Sequence, residues 1–417
     1  MRKILVLFVI ALSACSQATI KDTDPRVNRP QSEILPYVIL VSIDAYRWDY
    51  TDLYSPKNLK NFRDSGTSAE SLIPVYPSKT FTNHLSIATG LYAENHEIVS
   101  NHFYDPALKK EYYLKNKTAS EDGAWYPAEP LWVTIEKQGL VTACYFWPGC
   151  QAEINGIRPK YTFSYNDQIT PQERVDQVVQ WLHLPEEKRP HFIAVYFSDV
   201  DSAGHKFGPG SAEVQAAIQR VDQVMGNLIS EVEKSKLPIQ LVVLSDHGME
   251  PIDPEKFEYI DDYFPFAKES GVKVIGEGPQ IQIWTDSKAK SEKIFKALNS
   301  KKKHFRIYKR AQLPQKLHYS KTPKAGDLVA IADDSYSIVL RSTQLSKNKG
   351  NHGYDADSSK EMHGIFYAKG SKITSANKIK SFRNIHIYPW ILKLMGLKQT
   401  HPVDGESKVL DPILIQN

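Results

Sequence analysis

With 417 residues, 41% of them hydrophobic and 24% charged, the chain has an ordinary globular make-up and room for one large α/β domain with an insertion, or for two domains. Basic residues outnumber acidic ones by 52 to 48, a net charge of +4, and they are dispersed. The one tight run, residues 301–303, reads as a solvated helix end, so composition excludes a nucleic-acid-binding surface and a stable nucleic-acid partner.

Arg2 and Lys3 lead into an apolar run, residues 4–12, followed by Leu12-Ser13-Ala14-Cys15. The run is too short for a stable membrane span and has the layout of a secretory signal. Small residues directly before a cysteine resemble a bacterial lipobox, whose cysteine is acylated. The expectation is a cleaved leader over 1–15, a lipid anchor on Cys15, a flexible polar tether over 16–34, and an exported bacterial lipoprotein facing the periplasm or cell surface, on the outer membrane.

The run from Tyr37 to Ile43 is continuously apolar and ends in Asp44, the pattern of a buried parallel strand with a polar residue at its carboxyl end. Residues 59–66 form a short helix stopped by a glycine. Pro74 and Pro77 then hold the chain extended up to Thr80, after which Leu85, Ile87 and Ala88 mark a helix that Gly90 closes. Thr80 falls at the first turn, where it reads either as a simple cap or as a hydroxyl nucleophile beside free N–H groups. Residues 95–106 read as a turn-rich loop, 140–147 as a second buried strand, and 172–182 as an amphipathic helix. A third strand over 191–197 runs into Asp201 and His205. Val214, Ile218, Val221, Met225, Leu228 and Val232 recur at helical spacing. A fourth strand over 238–244 ends in Ser245, Asp246 and His247. Strand, helix, strand in this order predicts a largely parallel sheet with helices on both faces. The texture changes over 252–345, predicted as a small α+β insertion lying over the site. The main α/β domain then comprises 35–251 and 346–417, with a strand at 364–368 and a closing helix over 385–397. Cys144 and Cys150 could pair in an oxidising compartment, or be kept apart by strand-to-loop geometry.

Asp44, Asp201, His205, Asp246, His247 and His352 each sit past an apolar strand or in a glycine-flanked loop. Three aspartates and three histidines suit two borderline metals such as zinc, with three protein ligands to each and positions left open for substrate. His84, His96, His102, His191 and His363 read as structural or exposed, and His363 is the one rival to His352.

Ile43-Asp44, Pro77 to His84, Asn101 with Tyr104-Asp105-Pro106, Phe146 to Gly149, Asp201 to His205, Ser245 to Met249 and Asn351 to Asp355 together resemble the nucleotide pyrophosphatase/phosphodiesterases of the alkaline phosphatase superfamily, over residues 36–400. The resemblance implies one zinc on Asp201, His205 and His352. It places a second on Asp44, Asp246 and His247, with the Thr80 oxygen bridging to substrate. It implies an oxyanion hole from Asn101 and the Phe81 N–H, and a base held between Phe81 and Tyr165 beside Leu114. Thr82 and Gln151 depart from the family pattern, Gln151 where many members carry an acidic residue near the base.

The function so implied is two-zinc hydrolysis of nucleotide pyrophosphate and 5′-phosphodiester bonds to nucleoside 5′-monophosphates, through a phospho-threonine intermediate. A lysophospholipid or glycerophosphodiester hydrolase on the same scaffold is the alternative. A silent binding lipoprotein is a third reading, against which the ligand set and nucleophile are intact.

Overall fold

The computed structural model describes residues 24–300, 304–342 and 348–415. The leader, Cys15 and the lysine run at 301–303 lie outside the described residues. Residues 24–34, the second half of the expected tether, are docked: buried Asn28 donates its side-chain amide to the carbonyls of Glu186 and Arg189 and accepts from Val141 N–H. Asn28 thereby satisfies three backbone groups just ahead of the strands at 142–145 and 192–197. No described helix is long and apolar enough to cross a membrane.

In chain order the elements that position the site are β1 (Tyr37–Ile43), α1 (Lys57–Ser65), β2 (Thr67–Ala69), α2 (Thr80–Thr89), β3 (His102–Asp105), β4 (Lys110–Tyr113), β5 (Thr142–Tyr145), β6 (Tyr161–Thr162), α3 (Pro171–Leu182), β7 (Phe192–Phe197), α4 (Asp199–Phe207), α5 (Ala212–Ser235) and β8 (Ile239–Leu244). They continue with β9 (Val272–Ile275), β10 (Gln280–Thr285), α6 (Lys288–Asn299), β11 (Phe305–Lys309), β12 (Leu328–Ala332), β13 (Phe366–Lys369), β14 (Asn377–Ile379) and α7 (Ile387–Leu394).

The main sheet has eight strands in the spatial order β14-β2-β13-β8-β1-β7-β5-β6. β1 lies parallel to β7 and β8, β5 and β6 continue that direction, and β13 is antiparallel to both β8 and β2. All of β1 is buried because both its faces are covered. Val38 and Leu40 meet Leu85 and Ile87 of α2 and Trp390 of α7. Ile39 and Val41 meet Phe62 of α1, Val178 of α3 and Val214, Ile218 and Val221 of α5. Each such aliphatic side chain contributes roughly 1.5–3 kcal/mol on full burial, so α5 is held by its stripe rather than by propensity.

A second sheet, β9-β10-β12-β11, is antiparallel throughout and packs α6 through Ile294 and Leu298. β11 and β12 were not anticipated from the sequence. Residues 95–106, expected as loop, contain β3, which pairs with β4 in a hairpin. Leu114 N–H extends that ladder to the Asn101 carbonyl at 2.9 Å, setting Asn101 and Leu114 side by side.

Candidate metal centre and nucleophile

The carboxyl ends of β1, β7 and β8 meet the start of α2, and each contributes site residues. Thr80 is the first helical residue of α2, capped by Lys79 in extended conformation and closed by Gly90 at φ 71°. Thr80 Oγ1 lies 3.3 Å from His247 Nε2. Asp201 and His205 sit one turn apart on α4, a helix rather than a loop, with His205 Nε2 3.3 Å from Asp201 Oδ1. His247 Nε2 is 3.0 Å from Asp246 Oδ2 and 3.3 Å from Asp44 Oδ1. His352 stacks on His247 at 3.7 Å and brings its Nε2 to 3.2 Å from that of His205.

Three backbone carbonyls fix the tautomers. His352, His205 and His247 each place Nδ1 against one, that of Ser78 at 2.7 Å, Gly350 at 2.9 Å and Gly248 at 2.9 Å. A carbonyl only accepts, so Nδ1 carries the proton and the Nε2 lone pair turns inward, the form that binds metal. His363 is the reverse: Nε2 donates to the Ala356 carbonyl at 2.9 Å and Nδ1 accepts from Ser71 at 2.7 Å. His84 donates Nδ1–H to the Thr80 carbonyl and accepts from Ser42 at Nε2. Both rings are spent on structure.

The ligand atoms gather in two groups, Asp201–His205–His352 and Asp44–Asp201–His247, the atoms within each lying within 4.8 Å of one another. Asp201 belongs to both, a sharing not anticipated from the sequence, and Asp246 adjoins the second through His247. Asp44 Oδ1, Asp201 Oδ1 and Asp246 Oδ2 are buried without a hydrogen-bond partner among the described residues. Burial, and then repulsion from Asp246 and from Asp201, pushes the Asp44 carboxyl well above the usual range. Burial does the same to Asp246 and drives His352 well below the usual imidazole range. Orphaned carboxylate oxygens facing inward-turned imidazole lone pairs fit divalent cations and little else. Side-chain exposure of 27% at His205 and 17% at Asp201, against none at His247, makes their group the open side of the centre.

Some partners were missed by sequence reasoning. Tyr196 O–H donates to Asp44 Oδ2 at 2.5 Å. It lies one residue before the end of β7, in register with Ser42, so strand pairing was the only signal. Gly353 has φ 121°, and a Cβ there would come within 2.5 Å of Lys79 Cε. Burial draws Lys79 down to about 8, opposed by Glu277 and then Asp201.

Around the centre, Phe81 N–H donates to Asn101 Oδ1 at 2.9 Å. The implied oxyanion pair is therefore bonded to itself, and among the described residues the Asn101 NH2 is left as its donor. Phe81 is backed by Tyr112 at 6.1 Å. Tyr165 is 38% exposed and leans on Phe146 at 5.1 Å and Tyr196 at 6.5 Å. Leu114 is half-buried. Cys144 and Cys150 form a disulfide with Cα atoms 6.5 Å apart, enclosing Phe146 and Trp147. Gln151 donates to the Phe163 carbonyl at 3.2 Å.

The family profile for type I phosphodiesterase/nucleotide pyrophosphatase matches residues 38–355. Venom phosphodiesterase 2 of Crotalus adamanteus is 36% identical over 390 residues, 90% of this chain and 47% of that protein. Ectonucleotide pyrophosphatase/phosphodiesterase family member 3 of Bos taurus is 34% identical over 398 residues, 92% of this chain and 45% of that protein. The chain thus spans about half the length of the curated relatives it matches. The structure of murine ectonucleotide pyrophosphatase/phosphodiesterase 5 aligns with a TM-score of 0.85 at 28% identity, covering 91% of this chain and 100% of that one. An inactive variant of the murine protein in complex with AMP aligns with the same TM-score, at 27% identity and with the same coverage.

Proposed function

The chain belongs to the type I phosphodiesterase/nucleotide pyrophosphatase family, and from that premise we propose that it is a two-zinc phosphodiesterase releasing nucleoside 5′-monophosphates. The observation that carries the reading is Thr80 Oγ1 at a helix start, 3.3 Å from His247 Nε2, in a cluster whose buried carboxylate oxygens lack partners. Asp201, His205 and His352 would hold one ion, and Asp44, Asp246 and His247 the other, with Thr80 beside it. Ions bound there supply positive charge that lowers the proton affinity of the Thr80 hydroxyl and offsets charge on the leaving oxygen.

Thr80 Oγ attacks phosphorus, the bond to the leaving oxygen breaks in line, and the nucleoside 5′-phosphate stays on Thr80. Water then cleaves that ester, releasing the 5′-monophosphate and restoring the hydroxyl. The Asn101 NH2, aimed by the bond from Phe81 N–H, donates to a non-bridging oxygen where charge builds. Phe81 and Tyr165 offer aromatic faces for a base and Leu114 an apolar edge, which favours a nucleotide over an acyl chain. The AMP bound by the murine relative supports the same class of ligand. With Gln151 turned to a backbone carbonyl, selectivity among bases is weak.

Export as a bacterial lipoprotein anchored through Cys15 is part of this proposal. It rests on the leader sequence, and the Cys144–Cys150 disulfide suits an oxidising compartment. The bacterial source is read from Leu12 to Cys15 alone, and the relatives named above are snake and mammalian. The segment 252–345, with its own small sheet, is proposed as an insertion over the site. The reading is tested by assaying zinc-loaded protein on ATP and on the nitrophenyl ester of thymidine 5′-monophosphate. Release of AMP and thymidine 5′-monophosphate supports it; inertness toward both with zinc bound rejects it.

A further inference from the structure

The Asn101 NH2 is useful only where charge builds on phosphorus, so the chain that carries it must be held still. Bonds from Phe81 N–H and Leu114 N–H fix its side chain and its carbonyl. The two residues before it, Val99 and Ser100, have a single hydrogen bond between them among the described residues. In it the Val99 carbonyl accepts Tyr319 O–H at 2.7 Å, from the connection between β11 and β12. Val99 and Tyr319 are both buried. Gln280 and Gln282, on one face of β10, donate to the same hydroxyl oxygen at 2.9 and 3.1 Å. A hydroxyl has one proton and two acceptor sites, so with both sites taken its proton is committed to Val99.

Residues beside Tyr319 grip the same stretch of chain on either side of Asn101. The Glu94 carboxylate accepts the N–H groups of Ser320 and Lys321 at 2.8 and 3.1 Å. Lys324 Nζ reaches Glu97 at 2.9 Å and Asp105, the last residue of β3, at 3.3 Å. Glu94, Asp105 and Lys324 are buried, so salt screens these contacts little. The Tyr319 ring also meets that of Tyr76 edge-on at 5.2 Å, on the approach to Thr80. One connection of the second sheet thus touches the chain ahead of the nucleophile and straddles the chain that bears the oxyanion donor.

A segment that only covered the site would need none of these bonds. We propose that Tyr319 is a positioning residue for the reaction, holding residues 99–101 so that the Asn101 NH2 meets the non-bridging oxygen in the transition state. The second sheet is then part of the catalytic geometry, because a donor displaced by a fraction of an ångström loses much of its effect. This rests on the phosphodiesterase reading above.

The test is a double-mutant cycle of Tyr319→Phe and Asn101→Ala on the nitrophenyl ester of thymidine 5′-monophosphate, with zinc content and melting temperature measured on each protein. Tyr319→Phe is expected to lower kcat roughly 10-fold, less than Asn101→Ala does, with KM and zinc unchanged, since a misplaced donor forfeits part of what a removed one does. In the Asn101→Ala background the same change should alter kcat by less than about 2-fold. Glu94→Gln, an isosteric change that loosens the grip from its other end, goes through the same cycle and decides the matter if Tyr319→Phe does not fold. Equal fold-losses in both backgrounds, wild-type kcat in the single variants, or a loss confined to KM or to zinc content would overturn the proposal. An Asn101→Ala protein as fast as wild type overturns it while sparing the phosphodiesterase reading. A zinc-loaded wild type inert toward the ester and toward ATP removes that reading and this proposal with it.

Discussion

The Nε2 atoms of His205 and His352 stand 3.2 Å apart, each ring donating its Nδ1–H to a backbone carbonyl. Two lone pairs so placed repel unless a cation lies between them. The two residues should therefore act as one. His205→Ala and His352→Ala should each remove about half of the bound zinc and most of the activity, whereas His363→Ala should keep the full metal content. Metal analysis by mass spectrometry checks this, and loss of zinc from the His363 variant alone would reverse the ligand assignment.

The crowded carboxyls predict a pH signature for the metal-free protein. Folding holds the protons of Asp44 and Asp246 more tightly than an unfolded chain, whose carboxyls titrate near 3.8. Their contribution to stability is therefore full below that value and is lost as pH rises through the raised folded values. The melting temperature of metal-free protein should fall across this window, while zinc-loaded protein should not follow. Asp44→Asn should raise the metal-free melting temperature at pH 8 by roughly a few degrees while weakening zinc binding. Calorimetry with and without chelator measures both.

Much of this centre is legible in the sequence, because apolar runs reveal where parallel strands end. The runs closing at Asp44 and Asp246 are fully buried strands, and α5 follows from its stripe of valines and leucines. The β3–β4 hairpin is not legible, since Lys110, Glu111 and Tyr113 are exposed and only Tyr112 of its second strand is buried. α4 was obscured by Gly204, against which the Met249 side chain packs, its Cε 3.0 Å from where a Cβ would stand. The sharing of Asp201 between the two groups and the bond from Tyr196 to Asp44 depend on side-chain direction across strands, which no spacing encodes.

Asn101 sits outside the metal groups, so its loss separates charge stabilisation from metal binding. Asn101→Ala should lower kcat by about 10²–10³-fold, the range for one lost oxyanion donor, with zinc content unchanged. Steady-state kinetics with parallel metal analysis decides it, and a variant that loses zinc would make Asn101 structural.

Tyr165 is exposed enough to be removed without opening the core. Tyr165→Ala should raise KM for nucleotides by roughly 5- to 100-fold, in line with the loss of one stacked base, and change little for a small nitrophenyl phosphodiester. Equal effects on the two substrates, or faster cleavage of lysophospholipid than of ATP by the wild type, would favour the lipid alternative.

The account turns on Thr80 as the atom that takes the phosphoryl group. The most direct measurement is to quench zinc-loaded enzyme during turnover of a nucleotide substrate and map the covalent adduct by peptide mass spectrometry, alongside the Thr80→Ala variant. A nucleoside 5′-phosphate on Thr80 in the wild type is the predicted result, together with a Thr80→Ala protein that keeps both zinc ions and loses turnover. An adduct on another residue, or wild-type rates in Thr80→Ala, would contradict it.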